Sequence, residues 1–345
     1  MSKQRAMAKI VKIDSIRPIP DADSIECARV GGWNVVIKRG DFAVGDIAIY
    51  CEIDSWIPHE LAPFLSKGSQ PRLYNDVRGE RLRTVKLRGQ ISQGLLLKVA
   101  GCFGDTVTVS AENATLFREG DDVTEALNIQ KWEAPVPAQL AGQVRGLFPN
   151  FIPKTDQERC QNLVEQISAA QGRRFEVTEK LDGSSMTCYL FNDEFGVCSR
   201  NLDLKQDSLN SFWRVAVEKN IEQRLRQLGS NLAIQGELVG PGIQNNLYKL
   251  SQLEFFVFDV YDISAAEYLS AHRRQQLVKQ LELNHVPVID NDFQLDHNVD
   301  QLLALAEQTS QLNARSEREG VVFKEIAGKM TFKAISNRFL MKTHG

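Results

Sequence analysis

Two apolar alternating segments meet at Glu179-Lys180-Leu181-Asp182-Gly183, and this junction constrains the fold more than any other stretch of the chain. Phe175 and Val177 precede it and Met186, Cys188 and Leu190 follow it, so a strand is expected to end at Lys180 and another to begin after Gly183. Such a junction mounts a lysine on rigid backbone. A free lysine has a pKa of about 10.4 and attacks poorly unless neighbouring cations or desolvation favour its neutral amine. Asp182-Gly183 taken alone is ordinary turn chemistry. A Lys-x-Asp-Gly run arises by chance in roughly one chain of this length in ten to twenty. What accompanies Lys180 therefore decides between a covalent nucleophile and a solvated lysine before a turn.

A length of 345 residues predicts two domains, each able to bury a core. The net charge of -3 gives no global attraction to polyanions, so a nucleic-acid site has to be a local patch. The six cysteines include no C-x-x-C pair and the histidines no H-E-x-x-H spacing, which argues against a zinc cluster or a disulfide framework. Neither a signal-peptide core nor a membrane-length apolar run is visible, so a cytoplasmic protein with no membrane partner is expected, with a monomer favoured.

Residues 1–128 are dense in short alternating segments: Ala8 to Ile13, Ala28 to Val30, Trp33 to Ile37, Asp46 to Tyr50 and Thr84 to Leu87. Turn residues separate them, a pattern that predicts a small closed barrel. Between Arg72 and Arg88 the chain carries Arg72, Arg78, Arg81, Arg83, Lys86 and Arg88 against only Asp76 and Glu80. Arg81 and Arg83, with Arg78, Lys86 and Arg88, are candidates for tracking phosphates from a strand pair; the same charges also suit the protection of an edge strand. Residues 129–154, with Pro135, Pro137, Pro149 and Pro153, are expected to form the linker.

From residue 155 to 345 strands and helices alternate. Thr155 to Glu158 reads as a capping box opening a helix that ends at Gly172, and Ser264 to Glu267 as the cap of a helix reaching about Leu283. Further helices are expected over 209–228 and 299–312. Behind Lys180 five stretches follow: Ser199-Arg200-Asn201, Gly236-Glu237-Leu238-Val239-Gly240, Phe256-Val257-Phe258-Asp259, Glu319 to Lys324, and Phe332-Lys333-Ala334. Nucleotide transfer from a triphosphate needs an amine nucleophile, carboxylates for a divalent metal, cations for phosphate oxygens and an aromatic face for the base. The set holds all four. Lys324 and Lys333 are further expected to lower the pKa of Lys180 by like-charge proximity.

The stretch Leu87 to Leu95, with Pro20 to Ile25 upstream, resembles the OB-fold modules that bind tRNA or accompany RNA ligases, which implies a five-stranded barrel gripping nucleic acid. The order of stretches from Lys180 to Lys333 resembles the covalent nucleotidyltransferases, the ATP-dependent ligases and capping guanylyltransferases, and within them is most similar to the family-5 RNA ligases. The resemblance implies an α+β chain: an OB-like β-barrel at 1–128, then an adenylyltransferase domain of ATP-grasp-like antiparallel sheets with flanking helices. It implies ATP-dependent joining of 3'-hydroxyl and 5'-phosphate ends of RNA, or of an RNA-containing nicked duplex, with Mg2+ or Mn2+. Lys180 would carry AMP. Asp182, Glu237 and Glu319 would hold metal, directly or through its waters. Arg200 would contact sugar or phosphate, Phe258 would stack on adenine, Lys324 and Lys333 would neutralise the α-phosphate, and Glu179 would touch adenine or orient the strand. Where relatives read Lys-x-Lys, Thr331 and Ile335 flank Lys333, so Lys329 is a possible substitute. A capping enzyme or DNA ligase is disfavoured by the OB-like segment preceding the lysines, and an RNA-binding protein with an inactive pocket by intact Lys180, Glu237 and Glu319.

Overall fold

The computed structural model describes residues 5–103, 118–133 and 142–344. The chain divides into two compact units, Met1–Pro135 with Leu340–Gly345, and Val136–Phe339.

In the first unit, alternating residues bury one face of each short strand. Three ladders and a hairpin result. Ile47–Cys51 lies between Ala8–Lys12 and Leu95–Lys98; Ile25–Val30 lies between Ser15–Pro18 and Trp33–Lys38; Ser55–Pro58 and Val77–Arg81 lie between Gln130–Lys131 and Arg72–Tyr74. Ile10, Ile49, Ile57, Leu97, Val123 and Ile129 pack inside. These antiparallel ladders make up the β-rich N-terminal unit that the OB-like resemblance implied. Gln130–Lys131 pairs with Ser55 and Trp56, so the segment expected to begin a linker at 129 still belongs to this unit. The expected Pro135 and Pro137 lie outside the described residues. Val85–Leu87 and Gln90–Ser92 form a separate hairpin whose turn, Arg88-Gly89, has positive φ at both positions, as a tight two-residue turn requires.

The second unit is built on two sheets. The larger has eight strands, with Ser184–Phe191, Leu232–Val239 and Glu254–Asp262 at its centre; the smaller runs Glu158–Arg159, Thr331–Ile335, Gly320–Glu325, Arg174–Lys180, Val288–Gln294. Phe175, Val177, Val321, Phe323, Phe332 and Ala334 turn the apolar face of the smaller sheet onto Val299, Leu302 and Ala306. By alternation its other face carries Glu176, Lys180, Lys324 and Lys333.

Helices depart from expectation wherever side chains found other partners. The capping box at 155–158 does not form: Asp156 accepts from Arg200 (2.7 Å), Gln235 donates to the Pro153 carbonyl (2.9 Å), and the chain stays extended into Glu158–Arg159. The helix of this region shrinks to Val164–Ala169. Residues 209–228 split into Ser211–Glu218 and Ile221–Leu228, with Asn220 left-handed at the break (φ 52°). The helix expected from Ser264 begins at Ala271, after a two-residue strand Glu267–Tyr268, and the last expected helix covers Val299–Ala306.

Candidate active site

Lys180 ends its strand and Ser184 begins the next, so the Lys-Leu-Asp-Gly turn is where the chain crosses from the smaller sheet to the larger. Gly183 is required there: a Cβ would lie 2.4 Å from the Leu238 carbonyl and 2.8 Å from Glu237 Cγ. That close approach brings the turn against the strand of Glu237. On the other side Lys180 pairs with Gly320, the residue after Glu319. Three stretches distant in sequence thus place their carboxylates around one amine.

Lys180 Nζ lies 2.7 Å from Glu319 Oε1. Burial alone would push its pKa down, but Glu319, Glu237 and Asp182 outweigh burial, and the amine is held above the ordinary lysine value. The expected lowering by Lys324 and Lys333 is not what this arrangement gives. The carboxylates respond in kind. Glu237 is pushed up to about 8 by burial and by repulsion from Glu319 and Asp182, against the pull of Lys180 and Arg200. Asp182 is pushed up to about 6 by burial and by Glu319. Among the described residues no group of three His, Cys, Asp or Glu side chains already stands as a metal cluster. The three carboxylates nevertheless crowd one pocket with a single close cation. That excess of negative charge suits a divalent ion held through its waters.

Lys324 is placed differently. Its ammonium donates to Asp259 Oδ1 (2.7 Å) and to the Phe258 carbonyl (2.6 Å). Phe258 is the extra residue of a β-bulge, since Gln235 pairs with Asp259 and Gly236 with Val257. The bulge frees its carbonyl for Lys324 and re-aims its ring. The half-buried ring packs with Leu181, Val239, Tyr248, Phe256 and Val286, an apolar wall beside the Lys-Leu-Asp-Gly turn. Phe256 is 8% exposed and is core. Behind Lys324, Arg274, 2% exposed, donates to Glu176 and to His285 Nε2 (3.1 Å), and Gln275 donates to Glu176 Oε1 (2.8 Å).

Lys333 pairs in register with Val322 on one side and with Arg159 on the other. The sequence reading missed Arg159 because it placed that residue in a helix. Its parallel pairing sets a second cation beside Lys333, where the sequence offered only Lys329. Glu179 alternates away from Lys180; its Oε2 accepts from the Gln311 amide (2.8 Å), while Oε1, buried, has no partner. Burial pushes the Glu179 carboxyl up, and Ser310, Gln311 and Arg318 only partly offset this. Arg200 is half exposed and engaged by Asp156.

In the first unit the basic stretch divides. Arg81 is not an exposed phosphate contact: its Nε and Nη donate to Asp54 Oδ1 (3.1 and 2.6 Å), and its guanidinium stacks 3.8 Å over Trp132. Arg78, Arg83, Lys86 and Arg88 are exposed.

Comparison with known proteins agrees with this geometry. The RNA ligase family model matches residues 173–343, and an OB-fold domain model matches residues 7–99. Curated proteins give no match. Among solved structures, a mutant RNA ligase of Naegleria gruberi with ATP and Mn is 48% identical, covers 97% of this chain and 98% of its own, and superposes with a TM-score of 0.88. The same ligase with PPi is 47% identical over 99% of each chain, again with a TM-score of 0.88. A mutant of it with AMP and Mn is 48% identical over 97% of this chain and 98% of its own, at the same TM-score. With nearly its whole length matched at this identity, the chain belongs to the RNA ligase family, an OB-fold domain preceding a covalent nucleotidyltransferase domain.

Proposed function

We propose that the protein joins a 5'-phosphate to a 3'-hydroxyl on RNA through three nucleotidyl transfers that begin at Lys180. The observation that carries the reading is the placement of Lys180 on a sheet-to-sheet crossing, surrounded by Asp182, Glu237 and Glu319, on the sheet face that also carries Lys324 and Lys333.

In the first transfer the Lys180 amine attacks the α-phosphorus of ATP, a P–N bond forms and pyrophosphate leaves. In the second, an oxygen of the RNA 5'-phosphate displaces Lys180 from AMP. In the third, the 3'-hydroxyl attacks that RNA phosphate and AMP leaves. The residues suit each demand. Phe258, re-aimed by its bulge, offers the adenine a face, and the partnerless Oε1 of Glu179 offers its exocyclic amine an acceptor. Lys333, with Arg159 beside it in register, provides cations for phosphate oxygens. Lys324 is held by Asp259 on the same sheet face. Asp182, Glu237 and Glu319 would hold Mg2+ or Mn2+, which when bound supplies positive charge to the phosphate oxygens and weakens the carboxylates' hold on the ammonium. In the first unit Arg78, Arg83, Lys86 and Arg88 would track the phosphates of RNA or of an RNA-containing nicked duplex. A DNA ligase or capping reading gains no separate support from the site.

Labelled ATP with divalent metal is expected to leave acid-stable AMP on the protein, and Lys180→Ala to abolish it. Absence of label overturns the reading; label from GTP alone moves it to capping.

A further inference from the structure

The loop of residues 240–253, between Leu232–Val239 and Glu254–Asp262, supplies none of the charged groups used above, yet it is bonded to both segments that carry Asp182 and Glu319. Its backbone is unusually constrained. Gly240, Gly242, Gln244, Asn246 and Lys249 all have positive φ, and three of these are not glycine. Side chains seldom tolerate that conformation unless the surroundings hold it in place.

Four hydrogen bonds do so. On one flank the Asp182 amide donates to the Tyr248 hydroxyl (2.5 Å), and Gln244 Nε2 donates to the Gly183 carbonyl (3.3 Å). On the other, the Leu247 carbonyl accepts from Asn313 Nδ2 (3.1 Å) and from the Ser316 hydroxyl (2.9 Å), in the segment that leads into Glu319. Consecutive residues of the loop, Leu247 and Tyr248, therefore face opposite carboxylate-bearing segments. Tyr248 is 3% exposed, and its ring packs with Leu181, Val239, Phe256 and Val286. It is not placed to reach solvent.

We propose that Tyr248 is a positioning residue: it fixes the backbone of Asp182 while Leu247 fixes the approach to Glu319, so that the loop sets the spacing between two carboxylates. This rests on the reading that those carboxylates hold a divalent ion. Two carboxylates that repel each other drift apart unless the backbone restrains them, and these four bonds tie both of their backbone segments to one loop. Groups one step behind a metal ligand commonly change affinity 10- to 100-fold when removed.

The test uses Tyr248→Phe, which keeps the packed ring and removes the acceptor. Mn2+ binding is measured from the electron paramagnetic resonance of the free ion, in the presence of α,β-methylene-ATP, which cannot transfer AMP. Unfolding temperature without ligands and lysyl-AMP formation are followed in parallel. The expected result is a rise of about tenfold in half-saturating Mn2+. The analogue's half-saturation at saturating Mn2+ is expected to stay unchanged, and lysyl-AMP formation to recover at high Mn2+. Asn313→Ala, which removes one donor to Leu247, is expected to raise the same midpoint by a smaller factor, and it carries the test if Tyr248→Phe does not fold. A lowered unfolding temperature with unmoved Mn2+ midpoints in the variants overturns the proposal and leaves a packing role. A wild type that binds no Mn2+ overturns the metal reading as well, so the two failures are distinguishable.

Discussion

Lys180 and Lys324 stand on adjacent strands of one sheet, each with a carboxylate oxygen 2.7 Å from its ammonium, yet their proton affinities move in opposite directions. Burial lowers both. At Lys180 three carboxylates face one close cation, and the balance ends above the ordinary value. At Lys324 the carboxylates Asp259 and Glu176 are shared with the guanidinium of Arg274, so burial, with help from Arg274, prevails and the pKa ends below the ordinary value. The distance to the nearest partner thus says little about a buried lysine. The net charge of the surrounding shell says more. The Lys324 shell is balanced internally, whereas the Lys180 shell is short of positive charge and keeps the amine protonated until cations and substrate arrive.

The largest expected effect comes from unbalancing the Lys324 shell. Arg274→Met removes the cation shared by Glu176 and Asp259 and is expected to cost about 3–5 kcal/mol in urea unfolding, the usual penalty for stranding a buried charge. A loss below about 1 kcal/mol would erase the distinction between the two shells. The opposite result is expected around Lys180. Glu319→Gln is expected to leave the unfolding temperature unchanged or raised, because it relieves repulsion with Asp182 and Glu237, while lysyl-AMP formation falls about 10- to 100-fold. Equal destabilisation by the two variants would break the comparison.

The smallest effect is a pH dependence. His285 Nε2 accepts from Arg274 and its Nδ1 bonds the Val286 carbonyl, which requires a neutral ring, and burial and Arg274 hold its pKa below the ordinary 6.5. The folded state therefore binds fewer protons than the unfolded chain below pH 6.5. Its contribution is present above that pH and is lost as the pH falls, with a slope of at most about 1.4 kcal/mol per unit. Glu176, lowered by Arg274 against the penalty of burial, adds its own loss only below about pH 4.5. Glu237 and Asp182, raised by burial, gain stability over the same range in both proteins, so the expected result is that from pH 7 to 5 the wild type loses stability relative to His285→Gln; parallel curves would remove His285 from the Arg274 shell.

The sequence carried the parts of the site that local pattern encodes. Alternation marked the strands on both sides of Lys180, while Gly183 read only as turn chemistry and the close approaches at Gly183 and Gly236 emerged in the folded chain. At Gly236 a Cβ would lie 2.4 Å from the Phe256 carbonyl, opposite the bulge that re-aims Phe258. What stayed hidden depends on partners far along the chain. Arg81 reads as a phosphate contact until Asp54 and Trp132 are found around it. The run Thr155 to Glu158 satisfies a capping pattern, but Arg200 claims Asp156, and Glu158 serves the Arg159 amide and Asn162 instead. Arg274 sits in an unremarkable polar helix, and only the folded chain brings it to Glu176. Tyr248 lies in a loop whose composition signals turns and nothing about a bond to Asp182.

The pairing of Glu158–Arg159 with Phe332–Lys333 also has a consequence for synthesis on the ribosome. Domains fold as units while the chain is still emerging, but this parallel ladder joins the opening of the nucleotidyltransferase fold to its final strand. The nascent protein can form the larger sheet long before Lys324 and Lys333, which share the smaller sheet with Lys180, exist. A ribosome-bound or prematurely terminated chain that stops short of residue 320 therefore has Lys180 without Lys324 or Lys333, and the smaller sheet stays incomplete until the last strand has been made.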